Sequence, residues 1–207
     1  GWQKATELPE YVDSWDYAAM RNEADVNQGK TATFPNAEIT KFKDGSDPDN
    51  YPNVNHLKDL VTSGSGFQTG HNVSFSGGGE KYTYLLSLGY LHQDGIVAQN
   101  SYDKYNFQFN VDNQLTRTLH LKADISGYTG VQKEPRSNDD FNTMIGYSVR
   151  EPSIIAGRKS DGTYGYQDNY CPEGWMDSSS FTNNKSNQFM GGVEIEWNLG
   201  PLDILRG

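Results

Sequence analysis

The chain has one cysteine, Cys171, so neither an internal disulfide nor a cysteine-rich zinc site can form. It has no apolar run near the roughly 18–20 residues that a membrane-spanning helix requires. No basic-then-apolar opening marks a secretory leader. The chain starts Gly1-Trp2-Gln3-Lys4 without an initiator methionine, as expected of a segment cut from a longer protein. Basic residues are also scarce. Seventeen Lys and Arg against 27 Asp and Glu give a net charge of -10, and an acidic surface repels phosphate backbones, which argues against nucleic acid as a partner. Hydrophobic residues make up only 34% of the chain, and mean hydropathy is -0.78.

Glycine and tyrosine are abundant, at 22 and 13 residues. Low hydrophobicity with this much Gly and Tyr is compatible with disorder. It is equally compatible with a transmembrane β-barrel, in which only every second strand residue meets lipid. Periodicity favours the barrel. From Gln68 onward apolar residues recur at every second position: Val73 and Phe75; Tyr82, Tyr84, Leu86, Leu88 and Tyr90; Tyr105, Phe107, Phe109 and Val111; Leu119, Leu121, Ala123 and Ile125; Phe189, Val193, Ile195 and Trp197. Strands are therefore expected over 68–76, 81–93, 103–113, 118–128 and 188–197, as an antiparallel meander. Pairing Ser76 with Lys81 across the glycine turn would set Phe75 opposite Tyr82. Pairing Val111 with Leu119 would set Phe109 opposite Leu121. Opposed residues share a face, so the apolar positions join into one surface.

Organisation follows from this pattern: 1–67, a loop with short helices; 68–129, a four-strand meander; 130–187, a long external-type loop; 188–207, a further strand and a turn at Gly200-Pro201. Ser14 is the expected cap of a helix ended by Gly29, and Asn36 that of a second ended near Gly45. Connections alternate short and long, as they do in outer-membrane barrels; a soluble sandwich has no reason to sort its loops by parity. The fold class is all-β, a partial transmembrane barrel. A soluble β-sheet carbohydrate-binding module is the alternative, but the chain shows too few strands for a second sheet of equal size.

Chemistry-bearing motifs are weak. His56, His71, His92 and His120 form no HExxH and no i,i+4 pair, so no metal is expected. Asp44, Asp47 and Asp49 lack the closing Glu of a calcium loop and read as a solvated turn. The run Gly77-Gly78-Gly79-Glu80-Lys81 has no following Gly-Lys-Ser/Thr and reads as a hairpin, not a phosphate loop. No carboxylate pair stands out for hydrolysis, so the chain is not expected to be an enzyme or to need a cofactor. The candidate ligand contacts are Tyr164, Tyr166, Tyr170 and Trp175 in the long loop. Aromatic faces stack on sugar rings or partner proteins. The plainer reading, which carries more weight, is that they pack the loop onto itself.

Several strings share a more specific likeness. Ser14-Trp15-Asp16-Tyr17-Ala18-Ala19-Met20-Arg21-Asn22-Glu23-Ala24, Ile39-Thr40-Lys41-Phe42-Lys43-Asp44-Gly45 with Tyr51-Pro52-Asn53, His71-Asn72-Val73-Ser74-Phe75-Ser76-Gly77-Gly78, and Asn110-Val111-Asp112-Asn113-Gln114-Leu115-Thr116 occur in order and spacing. Over roughly 14–130 they resemble SusC/RagA-type TonB-dependent outer-membrane transporters. The resemblance implies a parent with an N-terminal plug, a TonB box and a 22-stranded barrel, set in the lipid bilayer of the bacterial outer membrane. Such a parent works with TonB and with a SusD-like surface lipoprotein that captures glycans or peptides. Plug and TonB box are missing from this chain, so it is not expected to transport anything alone. Removed from lipid, its apolar face would need covering, by residues 14–62 or by a second copy, and a homo-oligomer is expected.

Overall fold

The computed structural model describes residues 1–135, 141–167 and 170–198, with the backbone alone at Phe141. Three helices come first: α1 (Ser14–Asn27), α2 (Asn36–Asp44) and α3 (His56–Val61). The expected stops hold, because Gly29 and Gly45 both take positive φ, at 72° and 64°. The expected caps do not. Ser14 and Asn36 are the first helical residues, and Asp13 and Pro35 precede them without capping through a side chain. Asn53 takes over at α1: its Oδ1 accepts the Ser14 N–H at 3.0 Å, and its Nδ2 donates to Asp13 at 2.8 Å. A remote side chain thus satisfies an orphan donor of the first turn.

Five strands follow: β1 (Gln68–Gly79), β2 (Tyr82–Asp94), β3 (Ser101–Gln114), β4 (Leu119–Pro135) and β5 (Phe181–Trp197). They form one antiparallel sheet in the order β1-β2-β3-β4-β5, which is the expected meander. The register differs from expectation. Phe75 pairs with Leu86, not Tyr82, and Phe109 with Ile125, not Leu121. Both hairpins slide by four positions on the partner strand. In the first, Gly77, Gly78 and Gly79 belong to the strand, and only Glu80 and Lys81 form the turn. Glycine at 77 leaves room for the Tyr84 ring to fold across it; a Cβ there would lie 2.5 Å from the Tyr84 hydroxyl. An even slip leaves every side chain on its expected face.

β4 and β5 are also longer than expected. They continue their pairing to Glu134↔Thr182 and Pro135↔Phe181, so residues 130–135 and 181–187, expected as loop, are strand. Gln132, Lys133, Asn183, Asn184 and Lys185 lack apolar alternation, yet backbone pairing needs none. The remaining loop holds α4 (Phe141–Arg150) and α5 (Pro172–Asp177), where no helix was expected. The turn at Gly200-Pro201 lies outside the described residues.

The small hydrophobic core lies apart from the sheet faces. Leu60 of α3, Val97 of the β2–β3 loop and Met144 of α4 are its buried centre, with Trp175 and Met176 of α5 against them. These helices and loops gather at the end of the sheet where β2 and β4 finish. Among the described residues, the opposite end has only the 80–81 turn, the 115–118 turn and Asn198 after β5. The loops are sorted by length, as the barrel reading requires.

Candidate functional site

The sheet has two unlike faces, and register assembles each of them. On one face the pairings run in rows: Val73, Leu88, Phe107, Gly127 and Phe189; Phe75, Leu86, Phe109, Ile125 and Gly191; Gly77, Tyr84, Val111, Ala123 and Val193. These side chains are left open to the surroundings, with Phe189 71% and Val193 68% exposed. No second sheet faces them among the described residues, and residues 14–62 do not cover them either. Aromatic residues mark both borders: Tyr82 and Trp197 toward the short turns, Tyr90 and Tyr105 toward the loops, these last two with ring centroids 4.8 Å apart. Ten residue steps separate Trp197 from Asn187. At about 3.4 Å per residue and a tilt of about 40°, they span about 26 Å, the height of the apolar belt of an outer-membrane barrel. Beyond Tyr90 the same face turns polar at His92, Asp103 and Lys185.

The other face is mainly polar, with Leu85, Leu91 and Met190 as its apolar exceptions. Ser74 and Ser87 hydroxyls meet at 3.0 Å, and Ser87 donates to Asn72. His120 lies 2.5 Å from Asp112, and Lys122 lies 3.6 Å from Glu194. Such a surface suits an aqueous lumen. A concavity of about 610 Å³ lies beside His71, Val73, Leu88, Tyr105 and Phe107. It is open and mainly apolar, like a groove between lipid-facing rings, and is a poor orienting site for a polar ligand.

The four loop aromatics separate. Tyr170 stacks on Tyr147 of α4, centroids 3.4 Å apart, and Trp175 stands edge-on to both. Tyr164 donates to Asp177 at 2.7 Å and lies under the Arg158 guanidinium, which also pairs with Asp177. Tyr166 alone projects outward, 68% exposed. Tyr147 had no place among the expected contacts. A cleft of about 170 Å³ opens between Tyr147, Arg150, Glu151, Gln167 and Tyr170.

Glu151 reaches from this cleft to a buried cluster that sequence reasoning missed. His56 Nδ1 lies 2.5 Å from Glu173 and 4.0 Å from Glu151. Burial of His56 works to lower its pKa, but the hydrogen bond and charge of Glu173, with the charge of Glu151, outweigh it and raise the pKa. Burial is the main cause that pushes Glu151 up to about 7; His56 opposes the rise and Glu173 adds to it. Burial likewise raises Cys171 to about 11, so its thiol is unreactive at neutral pH.

No family model matches the chain. It is 26% identical over 211 residues to TonB-dependent receptor P26 of Formosa agariphila, an alignment covering 99% of this chain and 19% of that protein. A second likeness, 28% over 93 residues, is to TonB-dependent receptor P39 of the same organism and covers 45% of this chain and 9% of that one. The chain thus spans about a fifth of the length of the first relative. Belt, lumen-type face and loop sorting agree with both likenesses: the chain is a partial, open stretch of β-barrel wall similar to part of TonB-dependent receptors, and its place is the outer membrane.

Proposed function

We propose that this chain is part of a TonB-dependent importer of nutrients, of the SusC/RagA type, that takes up glycans or peptides. The apolar belt faces the lipid bilayer, the polar face lines the lumen, and the helical loops stand at the outer mouth. There they meet a SusD-like surface lipoprotein, while the periplasmic side of the whole protein answers to TonB. Five strands cannot close a barrel, so the chain does not transport by itself, and it is not an enzyme. The observation that carries this reading is the apolar belt, bordered by aromatics at Trp197 and at Tyr90 and Tyr105, on a sheet whose opposite face is mainly polar.

Tyr164, Tyr166, Tyr170 and Trp175 divide within this reading. Tyr166 is free to meet ligand or partner, whereas the other three shape the loop that presents it. The reading as a carbohydrate-binding module lacks, among the described residues, the second sheet that would bury the belt.

The test is uptake by cells that carry the complete protein. Growth on the oligosaccharide or peptide that induces its gene should disappear when either the gene or TonB is deleted, and the SusD-like lipoprotein should copurify in mild detergent. Unchanged uptake without TonB would overturn the importer, and copurification with no lipoprotein would overturn the SusC/RagA assignment.

A further inference from the structure

His56, Glu151 and Glu173 come from three separate places and meet in the core of the loop unit. His56 opens α3, Glu151 directly follows α4, and Glu173 lies in the first turn of α5. His56 is fully buried, and the two carboxylates are 4% and 8% exposed. One ligand atom from each residue lies within 4.8 Å of the other two. Apart from the bond between His56 Nδ1 and Glu173, the cluster is unsatisfied. Both Glu151 oxygens, Glu173 Oε2 and His56 Nε2 are buried without a hydrogen-bond partner.

Buried polar atoms are normally paired, and three orphan carboxylate oxygens in one place call for an explanation. Protonating the ring strengthens its bond to Glu173 but gives Glu151 no hydrogen-bond donor. Other groups nearby do not help. Tyr11 donates to the Ser148 carbonyl, Asp59 adds a further carboxylate, and no Lys or Arg pairs with either glutamate among the described residues. With the ring neutral, the cluster carries two negative charges away from water, and a divalent cation cancels both.

We propose that His56, Glu151 and Glu173 form a structural zinc-class site that ties α3, α4 and α5 together at the loop end of the sheet. One imidazole with two carboxylates suits zinc better than calcium or magnesium, which prefer all-oxygen shells. Bonds of about 2.0–2.2 Å in tetrahedral geometry place ligand atoms about 3.3 Å apart. The separations of 2.5 and 4.0 Å bracket that value, so small side-chain rotations suffice. The metal replaces the proton on Nδ1, which leaves to solvent, and the ring keeps its other proton on Nε2, beside the Pro152 backbone. Glu151 also lines the cleft at Tyr147 and Gln167, from which a water would supply the fourth ligand.

The experiment uses the complete protein that carries this segment, purified in detergent, stripped with chelator and dialysed against zinc alone. One zinc per chain should return, and calcium or magnesium at the same concentration should not replace it. Glu151→Gln should weaken zinc binding at least tenfold. X-ray absorption should show one nitrogen and two or three oxygens at about 2.0–2.2 Å. Zinc uptake that Glu151→Gln leaves unchanged, no uptake at all, or a shell with two or more imidazoles would overturn the site. The last would point to a surface site recruiting His71, His92 or His120. The absorption spectrum of the unsubstituted protein decides the matter even if the variant does not fold.

Discussion

Placing one arginine on either face of β3 separates a lipid-facing belt from a merely exposed one. Phe109 sits in the row Phe75, Leu86, Phe109, Ile125 and Gly191. Gly191 is six residues from Trp197 and four from Asn187, so at about 2.6 Å of height per residue the row lies about 10 Å inside the nearer border. An arginine near the bilayer midplane of a barrel costs about 2–4 kcal/mol, falling to about 0–1 kcal/mol at the interface. Phe109→Arg should therefore destabilise the folded barrel by about 3 kcal/mol, a shift of about 150-fold in the folding equilibrium. Gln108→Arg points the same charge at Ser87 and Ser126 on the polar face and should stay within about 0.5 kcal/mol. Tyr82→Arg, at the border, should fall between them. The assay is urea-titrated unfolding of the complete protein from phospholipid vesicles, followed by gel mobility. A cost at Gln108 equal to or above that at Phe109 would mean that the faces are assigned the wrong way round.

Other outcomes follow from the loop unit and the bare face. Glu151 has a folded pKa of about 7, above its ordinary 4.5, and that of His56 is raised too, so the metal-free fold binds extra protons. That contribution is complete below the unfolded pKa values and is lost as pH climbs through the raised ones. Hydrogen exchange in chelator, corrected for intrinsic rates, should thus show residues 141–151 and 172–177 less protected at pH 8 than at pH 5.5; equal protection would contradict this. Tyr170→Ala removes a stacked and an edge-on ring contact, each worth about 0.5–1.5 kcal/mol, and should loosen α4 in the same measurement. Tyr166→Ala should leave loop protection unchanged while weakening ligand or lipoprotein binding; loss of protection instead would make Tyr166 a packing residue. In water without detergent the isolated chain should scatter light as an oligomer, because its bare belt and open sheet edges favour association. A monodisperse monomer with Phe107 exposed would refute that.

The helical loop unit was the least legible part. The three ligand-type residues are dispersed, His56 lying 117 positions from Glu173, so no local spacing marks them. Gly146 sits in mid-α4 and masks the run of Met144, Ile145 and Tyr147, whose burial depends on contact with α3 and α5. Tyr164, Tyr170 and Trp175 were legible as aromatics, yet only the structure separates the ring stack from the exposed Tyr166. Short helices depend on tertiary packing more than on propensity, and a single sequence carries little of that.

The sheet was legible for a reason that also explains its errors. A period of two records which face a residue occupies, and slipping each hairpin by an even number of positions leaves that record intact. Hence Phe75, Leu86, Phe109 and Ile125 share a face although two of the expected partners were wrong. Alternation has a physical origin: it persists only while one face meets lipid and the other water. Where β4 and β5 rise past Thr129 and Asn187, both faces would meet water in the proposed barrel, and the alternation fades at Gln132, Lys133, Asn183 and Asn184. The hydrogen-bonded ladder continues to Pro135 and Phe181, because backbone groups pair regardless of what the side chains face. The pattern therefore measured the thickness of the apolar layer, not the length of the strands. In the proposed barrel, the extra strand length beyond Asn187 would carry the chain clear of the bilayer, to the level where α3, α4 and α5 pack.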